Sequence, residues 1–566
     1  MFYLFFSKIF NAMAQLKVKF RGNPVSDEQI KNVEDFETVQ IYEVQRSTRG
    51  DVNLIEPITL EEDQIIQLDF TDDTTWVGDM ATLEQLFPQS ITRSGDSGEL
   101  FLDSLEIDSD DRNAVKRIGV KLFSLFKKKK SAIQNVVKDA AIRVENSQLS
   151  IDGVFDFKSI GAGVLAHCEV DFSLKKLNDK AVGKRALLFL HGTGSSTSGS
   201  FASLYQVKEK INASWPGIYK NYGTGNVLAF QHRTLTCSPL ENVLELVTQL
   251  PSDIELDVVT HSRGGLVGDV LARFATDSAG FDKTERGVLA NSERTKDLEM
   301  IDAIQQIMIS KKIKVSNMVR VACPANGTTL ASQRLDLILN VFLNLIGTMV
   351  GSATNPAFQA FRNLVMTAVD SKDNTEVLPG LEAMNPDSPF IKVLNFPGSE
   401  IKVDSQLHVV GGSCELSLSF QGLIALVGKL FFRGKNDLVV DTESMKWGAP
   451  RKEGNTFIFI DESKKINHIV YFSTEKTQEK VFEGLQKKDT SEKLGYLPLR
   501  LTKPVDQDRG ILGLEGGRTI REKVSGKRPI VILMPGIMGS NLTVSEDMIW
   551  INYFRFISGQ LTRLKN

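Results

Sequence analysis

The sequence predicts an α/β fold: a mostly parallel sheet covered by helices, with helical cap insertions, preceded by a smaller strand-rich N-terminal region. Three observations predict it. From Lys184 onward, short apolar runs alternate with amphipathic helical patterns. Those runs are continuously apolar, as strands buried on both faces require. Before residue 110, by contrast, TVQIYEV and DQIIQLDF alternate apolar and polar residues, the period of half-buried strands.

At 566 residues the chain exceeds what one core usually organises. Hydrophobic residues make up 42% and charged residues 24%, which excludes a disordered or fibrous chain. A net charge of −3 gives no reason to expect nucleic acid. Cys168, Cys237, Cys323 and Cys414 are scattered with no CxxC pair, which argues against a disulfide framework or a zinc site and for a reducing compartment. The apolar start, MFYLFFSKIF, is interrupted by Lys8 and lacks a basic leader and a clear cleavage site. The expectation is a cytoplasmic protein, with Met13 an alternative start.

Residues 1–109 form the strand-rich N-terminal region. In residues 110–183, Asp110 to Ala141 reads as an amphipathic helix carrying the basic run Lys127 to Lys130, followed by connecting strands. That run reads as a solvated face, or as a surface for peripheral contact with an anionic membrane. Residues 184–486 are the α/β domain: ALLFLHG, NVLAFQH, ELDVVTHS, MVRVACPA and QLHVVGG are strands that each lead into a loop and a helical stretch. Two helical insertions, 279–312 and 332–369, interrupt the rhythm as caps. The apolar run Leu335 to Val350 is short for a membrane span and carries Asp336, Asn340 and Asn344, so it reads as a buried or lid helix. Residues 487–527 read as a polar linker. A new strand, PIVILMPGIMGSNL, opens residues 528–566.

The chemistry centres on LDVVTHSRGGLVGDVL. A buried strand runs into Ser262 and a helix follows at once. A sharp turn there lifts the serine Oγ clear of the sheet, and the helix start offers backbone N–H groups to a developing oxyanion. Gly264 and Gly265 let strand, turn and helix approach closely. A second glycine loop, HGTGSS, follows ALLFL. It lacks the lysine of GxxxxGK[ST], so a nucleotide cradle is disfavoured.

The Ser262 segment resembles the nucleophile elbow of α/β-hydrolases, in particular lipase- and esterase-like members. It departs from G-x-S-x-G in having Thr260 at the first glycine, so the turn must tolerate more bulk there. The resemblance covers roughly Lys184 to Leu485. It implies an oxyanion hole from the N–H groups of Thr193 and Arg263, with His191, Gly192, Gly194 and Gly264 as supporting positions. It also implies the chain order Ser, acid, His. Only His408 and His468 follow Ser262. His468 lies in the loop after TFIFI, where the family places its base, whereas His408 lies inside the strand QLHVVGG. Asp437, in KNDLVVDTES, matches the family's acid, with Asp441 second. The expected function is a serine hydrolase cleaving a small-molecule or lipid ester, with no metal and no cofactor. An acyltransferase with the same triad and a non-catalytic scaffold remain alternatives. The tail PGIMGSNL, with Trp550 beyond it, resembles the opening of a lecithin–cholesterol acyltransferase-like domain, truncated before any elbow or base.

Overall fold

Why the N-terminal third forms sheets follows from its period-two pattern. In the computed structural model the described residues are 15–25, 35–45, 54–87, 90–94, 97–102, 118–129, 137–149, 152–156, 185–205, 221–223, 225–328, 335–350, 355–371, 378–414, 435–463, 466–486, 495–499, 543–544 and 547–548. Met1–Leu501 is one compact unit and Thr502–Asn566 a second.

Strands β1 (Gln15–Lys19), β2 (Gly22–Pro24), β3 (Phe36–Val44), β4 (Ile58–Thr59), β5 (Ile65–Phe70) and β6 (Thr75–Gly78) precede helix α1 (Met80–Leu86). Strands β7 (Ile91–Ser94), β8 (Ser97–Phe101) and β9 (Val120–Lys128) follow. They build two sheets, β4-β1-β8-β7 and the antiparallel β2-β3-β9-β5-β6. Alternation decides the inner faces: Leu16 and Val18, or Phe123 and Leu125, are buried.

The amphipathic helix expected over residues 110–141 is corrected here. Val120–Lys128 is the central strand β9, paired on both sides with β3 and β5. Its run LFSLF is filled with aromatic and aliphatic residues that fit a pleated, covered surface better than one helical stripe. The flanking lysines are ion-paired at the sheet's rim, Lys127 with Glu61 and Lys128 with Asp370. Among the described residues of this region the helix is α2, Val137–Gln148, which begins later.

The main sheet has the order β10-β12-β11-β13-β14-β15-β16-β17. Its strands are β10 (Gly153–Asp156), β11 (Arg185–Leu190), β12 (Val227–Gln231), β13 (Glu255–His261), β14 (Lys314–Val321), β15 (Gln406–Gly412), β16 (Thr456–Asp461) and β17 (Leu497–Pro498). The six inner strands are parallel and the two edges antiparallel. All five residues of β12 and the last six of β13 are buried. That burial matches their largely apolar runs, and the buried Asp257 of β13 is held by Arg185 and Tyr222. Helices α3 (Thr197–Phe201), α4 (Pro239–Gln249), α5 (Gly264–Thr276), α6 (Lys283–Asn291), α7 (Thr295–Lys311), α8 (Leu335–Val350), α9 (Pro356–Asp370) and α10 (Glu475–Leu485) complete the layers and the two cap insertions. The fold is thus α/β, with a mostly parallel sheet covered by helices and a strand-rich N-terminal region.

Part of the stretch read as linker belongs to this sheet. Leu497 pairs with Ile458, and fully buried Tyr496 packs edge-on against His408. An aromatic anchor fixes a segment that otherwise looks polar. The PGIMGSNL motif and Trp550 lie outside the described residues. Beside that motif, β18 (Thr543–Val544) pairs antiparallel with β19 (Asp547–Met548). Among the described residues no helix is long and apolar enough to cross a membrane.

Candidate active site

Strand β13 ends at His261 and α5 begins at Gly264, leaving two residues to reverse the chain. Ser262 takes the left-handed conformation, φ 52°, which raises its side chain above the sheet's end. Its N–H remains tied to Val321 O at 2.9 Å. The glycines around it are sterically required. A Cβ on Gly264 would stand 2.3 Å from Leu190 O and 2.6 Å from His191 O, both backbone atoms. A Cβ on Gly265 would meet Cys323 Sγ at 2.4 Å, and one on Gly192 would meet Ser262 Cβ at 2.8 Å. Thr260 fits because α5 has Gly268 opposite it, where a Cβ would lie 3.1 Å from Thr260 Cγ2.

The chain order Ser, acid, His closes in space. His468 Nε2 lies 2.8 Å from Ser262 Oγ, and His468 Nδ1 lies 2.9 Å from Asp437 Oδ2. All three side chains are buried. A carboxylate only accepts, so Nδ1 carries the hydrogen and Nε2 presents its lone pair to the serine hydroxyl. Asp437 is itself held: its Oδ1 accepts the N–H groups of Val439 at 3.1 Å and Val440 at 2.8 Å. The two loops are also joined through the backbone, His468 N–H donating to Asp437 O at 3.0 Å.

His191 and Gly192 follow β11 directly, beside the elbow. Gly194, at φ 58°, turns the loop, and its N–H donates to Thr234 Oγ1 at 2.9 Å. Among the described residues neither the Thr193 N–H nor the Arg263 N–H has an acceptor. Arg263 is the N-cap of α5, so its N–H stands at the positive end of the helix. Its guanidinium is turned away and buried, donating to Gly380 O, Asn242 Oδ1 and Cys237 O. Gly192 to Ser196, Ser198 to Ser200, His261, Ser262 and His468 line a cavity of about 390 Å³, closed on the apolar side by Phe342, Leu345, Ile346 and Ile469. Asp441 pairs with Asn436 in a backbone bridge and lies outside the hydrogen-bonded set of Asp437, His468 and Ser262. His408 stays in the core, Nδ1 3.2 Å from Asn317 Oδ1.

Residues 166–289 and 299–486 match the family described as Domain of unknown function (DUF7379). This chain belongs to that family. No curated protein matches this DUF7379 chain. Among solved structures it is similar to EstA from Clostridium botulinum, at 10% identity and TM-score 0.35, over 62% of this chain and 99% of that one. It is similar to lipase 1 from Pelosinus fermentans, at 12% identity and TM-score 0.34, over 54% and 100%. Phospholipase PlaB from Legionella pneumophila follows at 12% identity and TM-score 0.33, over 55% and 62%. The chemistry of the DUF7379 site rests on its own geometry.

Two site neighbours were not foreseen from the sequence. Tyr471 is fully buried and donates its hydroxyl to Asp437 Oδ2 at 3.1 Å. Burial, with Asp437 beside it, holds the phenol protonated far above the usual tyrosine range. His261 places Nε2 2.9 Å from the carbonyl of His468 and Nδ1 3.2 Å from Ser200 Oγ. The carbonyl fixes Nε2 as the donor, so Ser200 donates to Nδ1. His261 thereby ties the elbow to the loop carrying His468. Its only sequence signal is its place directly before Ser262.

Four histidines of the DUF7379 core are neutral for the same reason. Burial, then the neighbouring His191, lowers His232 well below the usual imidazole range. Burial lowers His191 to about 4 and His408 to about 4. Burial, then the neighbouring His468, lowers His261 to about 3. In the unfolded chain each titrates near 6.5. Between pH 6.5 and 4 the unfolded state therefore binds more protons, and stability rises with pH across that window. Unfolding free energies from denaturant titrations should change little between about pH 7 and pH 8 and fall by several kcal/mol towards pH 4. Equal stability at pH 7 and pH 4 would contradict these buried neutral rings.

Proposed function

We propose that this chain is a serine hydrolase that cleaves esters through an acyl-enzyme. The observation that carries the reading is the pair of contacts on His468, 2.8 Å to Ser262 Oγ and 2.9 Å to Asp437 Oδ2. They give the imidazole one face to receive the serine proton and another whose positive charge the carboxylate stabilises. Ser262 Oγ attacks the ester carbonyl as its proton passes to His468 Nε2. The carbonyl oxygen becomes an oxyanion held by the N–H groups of Thr193 and Arg263, each such donor contributing about 3–4 kcal/mol to barrier lowering. His468 then protonates the leaving alcohol, and a water deprotonated by His468 releases the acid and restores Ser262.

The walls of the cavity support an ester with an apolar acyl group. Phe342, Leu345, Ile346 and Ile469 offer aliphatic and aromatic surface, while Ser195, Ser196, Ser198 and Ser200 offer hydroxyls on another side. A fluorophosphonate probe tests the reading directly. Covalent phosphonylation mapped to Ser262 is the expected result. A folded chain that the probe leaves unlabelled would instead favour a non-catalytic hydrolase-fold scaffold.

A further inference from the structure

Strand β6 is an edge strand, yet all four of its residues are buried. One side pairs with β5, Asp69 opposite Thr75 and Gln67 opposite Val77. Its outward N–H and C=O groups face protein rather than water, and they need partners.

Helix α8 supplies them with two asparagine side chains. Thr75 N–H donates to Asn344 Oδ1 at 2.8 Å, and Asn344 Nδ2 donates back to Thr75 O at 2.8 Å. Val77 N–H donates to Asn340 Oδ1 at 2.9 Å, and Asn340 Nδ2 donates back to Val77 O at 2.7 Å. Each amide thus copies the paired N–H and C=O of an adjacent strand residue. The spacing permits it: four residues of helix rise about 6 Å, and two residues of strand about 6.8 Å. The remaining amide hydrogens go to carbonyls one turn back, Asn340 to Asp336 O and Asn344 to Asn340 O, both at 2.8 Å. Asn340 and Asn344 are 1% and 6% exposed. Buried amides satisfied this fully specify one seating of the helix rather than a slippery apolar contact.

The opposite side of α8 is the cavity wall. At about 100° per residue, Phe342, Leu345 and Ile346 centre roughly 180° from Asn340 and Asn344. All three line the cavity. Ile346 Cδ1 lies 4.0 Å from the Cβ position of Gly194, in the loop next to Thr193. Helix α9, packed beside α8, is tied to the same sheet through Arg362 Nε to Gln67 Oε1 at 2.7 Å.

We propose that Asn340 and Asn344 are positioning residues that clamp α8 to β6, so that the N-terminal sheet fixes the apolar wall of the pocket and sets the acyl length it takes. The helix is therefore a fixed wall, not a swinging lid. The length-setting half rests on the proposed hydrolase function; the clamp itself does not.

Hydrogen exchange on the full chain reads the clamp without turnover. In the wild type the amides of Thr75, Val77 and α8 open together. In the Asn340→Leu/Asn344→Leu double variant, α8 amides exchange about ten-fold faster or more while α5 keeps its protection. The same variant changes KM for p-nitrophenyl palmitate roughly five-fold, with kcat for p-nitrophenyl acetate within about two-fold. Wild-type α8 amides opening about ten-fold faster than Thr75 and Val77 would overturn the clamp, and so would a double variant with wild-type exchange. A variant with loosened α8 and an unchanged chain-length profile would overturn the length-setting role. If the double variant does not fold, the wild-type exchange comparison and Asn344→Ala decide. A wild type that turns over no ester sinks the hydrolase reading, while the exchange result still decides the clamp.

Discussion

Ser262→Ala lowers kcat on p-nitrophenyl esters by about 10⁶-fold and leaves the fold intact. In the proposed mechanism the large effect follows from removing the atom that bonds to the acyl carbon. What survives is catalysis by the oxyanion donors and by substrate binding, roughly 10³–10⁴ over water. The fold survives because alanine keeps the Cβ and alters nothing that Gly192, Gly264 and Gly265 were shaped to admit. The left-handed backbone at φ 52° strains serine and alanine alike. Circular dichroism and thermal melting should match wild type, and fluorophosphonate labelling should vanish. Undiminished turnover by this variant would place the nucleophile elsewhere.

His468→Ala is nearly as severe as Ser262→Ala, and the two together are no worse than one, because they act as a unit. His408→Ala behaves in the opposite manner. It keeps kcat within a few-fold and costs about 2–4 kcal/mol of stability, the scale of a truncated core side chain. The difference lies in their surroundings. His408 stacks on Phe457 with ring centroids 5.4 Å apart and meets Tyr496 edge-on at 5.0 Å. A Cβ added at Gly484 would lie 3.2 Å from its Cβ, so α10 packs directly on it. His468 instead leaves a loop to reach Ser262. Steady-state kinetics and denaturant midpoints on the two variants check this, and interchange of the two phenotypes would reverse the assignment of the base.

Some of this molecule is written locally. Continuous apolar runs announced the parallel strands, since a strand covered on both faces has no polar side to show. The elbow was legible because its demands fall on adjacent residues: a strand, one serine, then Gly264 and Gly265. The partners of Ser262 were narrowed by scarcity, with only His408 and His468 following it.

Other features came from partners far away in sequence. The helix expected around Lys127 is a strand because β3 and β5 pair with it from both sides, and tertiary pairing overrides a local amphipathic pattern. Tyr471 and His261 carried no pattern, since their importance lies in which carboxylate or carbonyl they meet. Asn340 and Asn344 look like polar interruptions of an apolar helix. They find their purpose 263 to 269 residues earlier in the chain, on the edge of β6. The sequence by itself determined the parallel strands after Lys184 and which serine sits at a sharp turn, because those depend on neighbours along the chain. Tertiary structure alone decided which helix closes the pocket and what holds it there, because an unpaired strand edge is visible only once the sheet exists.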